Sequence, residues 1–244
     1  MKIKLTVEYD GTEYCGWQIQ PNGITVQERL NQAVKAITGE DVTVTGSGRT
    51  DSGVHAQGQV AHFETASKIP AERFAPALNS ALPSDVRVIK SEEVAGDFHA
   101  RFCAKKKTYC YKMYLSETIR PLLDRYCAHL PYPVDLVSMK ECAKLFVGTH
   151  DFSAFMASGS EVKDTVRTVY SSEVSCDSSV ISFTVCGNGF LYNMVRIMAG
   201  TLVAVGMGKL TLSDVACAVE GGERSKVGKT MPARGLTLLS VDYD

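Results

Sequence analysis

The chain has 244 residues, 45% of them apolar and 22% charged, with a formal net charge of −1. That length is long for one compact core and suits two smaller units; the composition excludes extended disorder, and the near-zero charge offers no whole-molecule argument for nucleic acid. Eight cysteines without a C-x-x-C pair read as buried reduced thiols rather than a zinc site or disulfide framework, and the opening MKIKLTVEYD lacks the apolar stretch of a secretory signal, so a cytoplasmic enzyme or binding protein is expected.

In chain order, Ile3, Leu5, Val7 and Tyr9 alternate with the period of a half-buried strand. Thr25 to Glu28 has capping-box spacing, and Val26, Leu30, Ala33, Val34 and Ile37 form a helical apolar stripe that Gly39 stops. Residues 42–45 and 59–64 read as strands flanking a glycine-rich loop; Pro70 opens a helix carrying Phe74 and Leu78, and 86–90 is a further strand. The order then recurs with longer elements: strand 108–115, helix 134–147, a hairpin of 166–176 and 180–186 around Asp177-Ser178-Ser179, helix 190–205 and strand 236–243. The fold expected is α+β, two β-α-β-β-α-β halves of RRM or ferredoxin-like type with mainly antiparallel sheets. Their domains would be 1–96 and 97–244, with the seam near 94–106.

The apolar stretch 190–208 is long enough to span a bilayer on paper. It contains Asn193 and Arg196, and a charge so deep costs at least about 2.5 to 3.5 kcal/mol on insertion scales, so a buried helix with one polar stripe is the better reading. Positive charge gathers between Ala100 and Arg125, where seven Lys/Arg stand against Glu117 and Asp124; Arg101, Lys105, Lys106 and Lys107 are candidates for RNA phosphates, a solvated strand edge being the alternative. An open sheet face would offer Tyr109, Tyr111 and Phe183 for stacking on bases, unless they are core aromatics.

The loop GSGRTDSGVHAQG (46–58) sets Arg49, Asp51 and His55 among four glycines. A phosphate cradle would want a helix directly after it, and a triad of Asp51, Ser52 and His55 is too local to converge. A structural Asx-turn, with Gly53 at positive φ, stays open beside the preferred reading: a rigid loop presenting the Asp51 carboxylate, with Arg49 nearby favouring its ionised form as base or nucleophile. SKVGKT (225–230) fails as a P-loop because Glu223 stands where glycine is required, and the five histidines show no metal spacing and read as local hydrogen-bonding residues.

GSGRTDSGVHAQGQVAHF closely resembles the G-A-G-R-T-D-A-G-V-H-A-x-G-Q-V-x-H-F signature of the tRNA pseudouridine synthase A family. EYDGTEYCGWQ (8–18), DFHARFCAKKKTYCY (97–111), GFLYNMVRIMAG (189–200) and GLTLLSVDY (235–243) resemble its other motifs, in order. Ser47 and Ser52 depart from the usual alanines; both are small enough to keep the turn, though a hydroxyl beside Asp51 can alter its hydrogen bonding. The resemblance implies a pseudouridine synthase fold and an isomerase that detaches uracil, rotates it and rejoins it through carbon 5, at positions 38, 39 and 40 of the tRNA anticodon stem-loop. It implies no cofactor and no metal, and a homodimer. Matched by motif position, Asp51 is the catalytic aspartate, Arg49 its neighbouring arginine, Tyr109 the tyrosine packing on the target base and Arg196 the arginine that pairs with the aspartate. Asp51 would attack C1′, add to C6, or remove the C2′ proton to give a glycal. The rival from another class is a non-catalytic RNA-binding protein of two RRM-like halves, which explains the topology and the basic strand but not a loop built to display Asp51.

Overall fold

The structure, a computed structural model, describes residues 1–159 and 162–244. The chain divides into two compact units, Met1–Lys105 with Thr237–Asp244, and Lys106–Leu236.

In the first unit, β1 (Lys2–Tyr9) buries alternate residues, as its period predicts. Helix α1 (Val26–Thr38) begins where the Thr25 hydroxyl accepts from Glu28 N–H and ends at Gly39, whose φ of 77° only glycine adopts without strain. Then come β2 (Thr45–Gly46), β3 (His55–Glu64), α2 (Phe74–Ala81), led in by a 3₁₀ turn after Pro70, and β4 (Val86–Val94). β1 lies between β4 and β3, and β2 pairs with β3, all antiparallel, which is the β-α-β-β-α-β order expected. The strand expected over 42–45 shrinks to its last residue. Asn31 Oδ1 accepts from Val44 N–H and Gln27 Nε2 donates to Val44 C=O, so α1 side chains satisfy the backbone a ladder would otherwise pair.

The second unit contains β5 (Lys106–Leu115), α3 (Pro121–Asp124), β6 (Ala128–Leu130), α4 (Leu136–Lys144), β7 (Gly148–Asp151), β8 (Val166–Asp177), β9 (Val180–Gly187), α5 (Met194–Gly206) and α6 (Leu212–Ala218). β9 pairs antiparallel with β5 and β8, β7 adds to β8, and short β6 lies parallel to β5. The expected helix 134–147 starts at Leu136 because the Asp135 carboxylate caps it, accepting from Val137 and Ser138 N–H, and it ends at Lys144. Helix 190–205 starts late because Asn193 sits in the left-handed region at φ 60°. At 13 residues, about 20 Å, α5 falls short of a bilayer core, and no helix among the described residues is long and apolar enough to cross a membrane.

The last strand, β10 (Leu236–Asp242), pairs from Thr237 onward in parallel with the start of β3. Residues 97–105 and 237–244 pack together in the first unit, whereas the sequence reading counted both in the second half. Tyr243 OH donates to Ala100 O at 2.7 Å, Lys105 N–H to Asp242 O at 2.8 Å, and Ala100 N–H to His62 Nδ1 at 3.2 Å. All eight cysteines are free thiols, but only Cys110, Cys127 and Cys142 are buried; Cys176 and Cys217 are exposed, against the expectation of burial throughout.

Candidate active site

Asp51 stands at the first position of a tight turn closed by Val54 N–H donating to Asp51 C=O at 3.1 Å. Gly53, third in the turn, has φ 76°, the geometry a type II turn requires of that position. Gly53 N–H reaches Tyr14 C=O at 3.3 Å, and the Ser52 hydroxyl donates to the same carbonyl at 3.2 Å. The hydroxyl that departs from the family signature therefore ties the turn to its neighbour. Ser47 is fully buried, its hydroxyl donating to Gln59 Oε1 at 2.7 Å, while Gln59 Nε2 donates to Gly48 C=O.

The segment 9–17 grips the other side of this turn. Trp17 N–H donates to Thr50 C=O at 3.1 Å, and the buried Tyr9 and Thr50 hydroxyls are 2.8 Å apart. Burial pushes the Tyr9 phenol up to about 12, so at neutral pH it acts only as a neutral hydrogen-bonding group. Gly16 lies against this peptide: a Cβ there would meet Thr50 O at 2.5 Å, and its φ of 83° independently excludes most side chains. The Trp17 indole packs on Gly46 so closely that a Cβ would come within 2.6 Å of the ring nitrogen. Asp51 itself is half-buried, and Arg49 is exposed and, among the described residues, makes no ion pair. Tyr14, Trp17 and Gln59 had no place in the sequence reading as supports of Asp51; the block EYDGTEYCGWQ was the signal that could have found the first two.

In the second unit the three candidate aromatics part company. Tyr109 and Tyr111 share one face of β5, opposite Val185 and Phe183 of β9. Tyr111 and Phe183 are 0% exposed, and the Tyr111 hydroxyl donates to Pro232 C=O at 2.7 Å. Both are core residues, which decides the open alternative for these two in favour of core packing. Burial raises the Tyr111 phenol above its ordinary pKa, the nearby Arg196 and Arg234 charges offsetting part of the rise. Tyr109, at the strand's beginning, is only half-buried, and its ring meets Phe190 edge-on at 5.2 Å between centroids.

Arg196 lies in the first turn of α5, three residues after Asn193, and the expected polar stripe is a physical contact. Its Nη1 donates to Asn193 Oδ1 at 2.6 Å and its Nε to Met231 C=O at 2.8 Å, while Met231 N–H returns a bond to Arg196 C=O at 3.2 Å. The guanidinium is therefore aimed by groups on both sides, which lowers the cost of a partly buried charge. Where Gly200 follows on α5, the chain at Gly228 and Lys229 passes in backbone contact, and Gly228 N–H donates to the Thr201 hydroxyl at 2.9 Å. The P-loop look-alike is therefore a packing segment.

Arg101, Lys105 and Lys106 are exposed and Lys107 is half-buried; the Lys106 ammonium sits 5.7 Å from the Tyr170 ring centroid. Each of the five histidines bonds a backbone group, but only His99 and His150 do so locally as expected; His55 Nδ1 accepts from Gly11 N–H at 3.0 Å and His62 Nδ1 from Ala100 N–H at 3.2 Å, each tying together distant parts of the chain. Among the described residues no three His, Cys, Asp or Glu side chains gather at metal-binding distances.

The profile of the tRNA pseudouridine synthase family matches residues 5–103 and 142–244. The chain belongs to that family. A tRNA pseudouridine synthase A of Ruminiclostridium cellulolyticum is 51% identical over 243 residues, covering 99% of each chain, and one of Caldicellulosiruptor saccharolyticus is 49% identical over 241 residues with the same coverage. A solved Cbf5-Nop10-Gar1 complex aligns over 97% of this chain and 48% of that one, at 14% identity and a TM-score of 0.39, too loosely to bear on the site. Family membership extends over both units, so the Asp51 turn and the Tyr109 and Arg196 region each lie within matched or closely similar sequence.

Proposed function

We propose that this synthase isomerises uridine to pseudouridine in tRNA, at positions 38, 39 and 40 of the anticodon stem-loop, with Asp51 as its reacting carboxylate. The observation that carries the reading is the loop around Asp51, whose backbone is bonded at Gly53 to Tyr14, at Thr50 to Trp17 and at Ser47 to Val60, while its small residues admit close approach. A turn so constrained keeps a carboxylate in place without cost at the moment of reaction.

The chemistry asks little else of the protein. Substrate and product have the same formula: the C1′–N1 bond breaks, a C1′–C5 bond forms, and the proton leaving C5 is balanced by one gained at N1. An ionised Asp51 can serve at C1′, at C6 or at the C2′ proton, and the three routes share that starting state. Tyr109, half-exposed beside Phe190, offers a face to a base drawn out of its stack, a step costing a few kcal/mol. Arg196 supplies positive charge for the reacting carboxylate, and Arg49, Arg101, Lys105, Lys106 and Lys107 contact RNA phosphates. The enzyme acts in the cytoplasm as a homodimer.

The test is pseudouridine formation on unmodified tRNA transcripts, read by mass spectrometry after carbodiimide labelling, for wild type and Asp51→Asn. Product from wild type alone, with tRNA binding kept by both, is the expected result. Tight binding by both proteins with product from neither would replace this reading with that of a non-catalytic RNA-binding protein.

A further inference from the structure

The segment after β4 ends in an exposed ring with a built support. Phe102 is 76% exposed, yet its ring stacks on His99 with centroids 4.2 Å apart and planes at 29°. His99 in turn meets the buried His62 ring at 4.8 Å. The backbone around the ring is pinned: Arg101 and Phe102 N–H both donate to His99 Nδ1, Cys103 N–H donates to His99 C=O, and Ala100 is held at its N–H by His62 and at its C=O by Tyr243. Single exposed apolar side chains are ordinary on protein surfaces; this one is set apart by the His99 and His62 rings beneath it and by the hydrogen bonds that hold its backbone.

Charge identifies the occupant. Arg101 is exposed with its guanidinium 5.8 Å from the Phe102 centroid, and exposed Lys105 follows, against exposed Asp97 on the same segment. A rigid aromatic with a guanidinium at its ring is what a single nucleotide needs: a face for its base and a charge for its phosphate. We propose that Phe102, propped by His99 and flanked by Arg101, is a stacking platform for one unpaired base of the tRNA substrate, a contact separate from the target uridine. This rests on the reading of the protein as a tRNA-modifying enzyme and adds to it a residue that holds the RNA rather than one that reacts. Because the ring is already ordered, stacking a base on it incurs little entropic cost on the protein side.

The experiment measures the affinity of unmodified tRNA transcript for wild type, Phe102→Ala and Phe102→Trp, with circular dichroism confirming the fold and light scattering giving the mass. Phe102→Ala should bind roughly tenfold to a hundredfold more weakly, the range one base–aromatic stack contributes. Phe102→Trp should keep its affinity, and tRNA should quench its emission more than that of wild type, whose one tryptophan, Trp17, is 2% exposed and supplies the reference signal. Unchanged affinity in Phe102→Ala, or quenching in Phe102→Trp no greater than in wild type, would overturn the platform. Loss of the dimer mass in Phe102→Ala at unchanged tRNA affinity would overturn it too and assign the ring to a protein contact. The two proposals fail separately: a wild type that binds tRNA through Phe102 but makes no pseudouridine sinks only the catalytic reading, and a wild type that makes pseudouridine with Phe102→Ala binding normally sinks only the platform.

Discussion

The Asp51 turn and the Arg196 region position their charged side chains by opposite means. Asp51 is fixed through its main chain, by peptide hydrogen bonds to Tyr14 and Trp17 and by glycines that let those segments approach. Arg196 sits on an ordinary helix and is aimed through its side chain, by Asn193 and by a carbonyl 35 residues away at Met231. A short carboxylate can be placed only by placing its backbone, whereas a long guanidinium must be caught at its far end, because its rotamer freedom is worth as much as about 2 kcal/mol.

The largest effect should come from Asp51→Asn, which keeps the turn and removes the charge. Pseudouridine formation should fall by about 10³-fold or more while thermal stability and tRNA affinity hold, as single-turnover kinetics and melting curves would show. Tyr109→Leu should lower turnover by about a hundredfold without much change in stability, since the ring is half-exposed; Tyr111→Phe, two residues on, should leave turnover intact and cost about 1 kcal/mol in urea unfolding, by leaving the Pro232 carbonyl unpaired.

Those two tyrosines also mark the limit of the sequence. Alternation placed both on one face of β5, but which one lay under the core depended on Pro232 and Phe183, far along the chain. The β-α-β-β-α-β order of the first unit was legible because capping, period and glycine stops are local signals. The strand at 42–45 was not, because Gln27 and Asn31 on a preceding helix took its hydrogen bonds. The tight turn at Asp51 was legible through its glycines, Gly53 taking the expected positive φ; its supports at Tyr14, Trp17 and Gln59 were not, because nothing local says that 9–17 and 46–59 meet.

Smaller changes sharpen the contrast between main-chain and side-chain positioning. Gly16→Ala, forced into φ 83° against Thr50 O, should destabilise by about 1–3 kcal/mol and lower activity by displacing the Asp51 peptide, a pairing that urea midpoints and rates would both register. Asn193→Gly keeps the left-handed backbone and removes the amide that orients Arg196; roughly a tenfold fall in kcat, with tRNA Kd and stability nearly unchanged, is the expected outcome.

The smallest effect concerns pH. Burial, reinforced by the neighbouring His99, holds the His62 imidazole below its ordinary pKa. The unfolded chain then binds a proton more readily than the folded one, so this contribution to stability is complete above about pH 6.5 and is lost as pH falls below it. Urea midpoints taken from about pH 8 downward should decline more steeply in wild type than in His62→Gln.

The crossing at Gly200 and Gly228 has a consequence for how damage travels. A side chain at either glycine would lift residues 228–231 off α5, and Met231, at the end of that segment, supplies the carbonyl that accepts from Arg196 Nε. A lesion placed on the buried flank of a helix would thus surface twice, as lost stability and as a misdirected charge, and such a variant enzyme would lose more activity than its lowered melting temperature explains, from a position that touches no substrate.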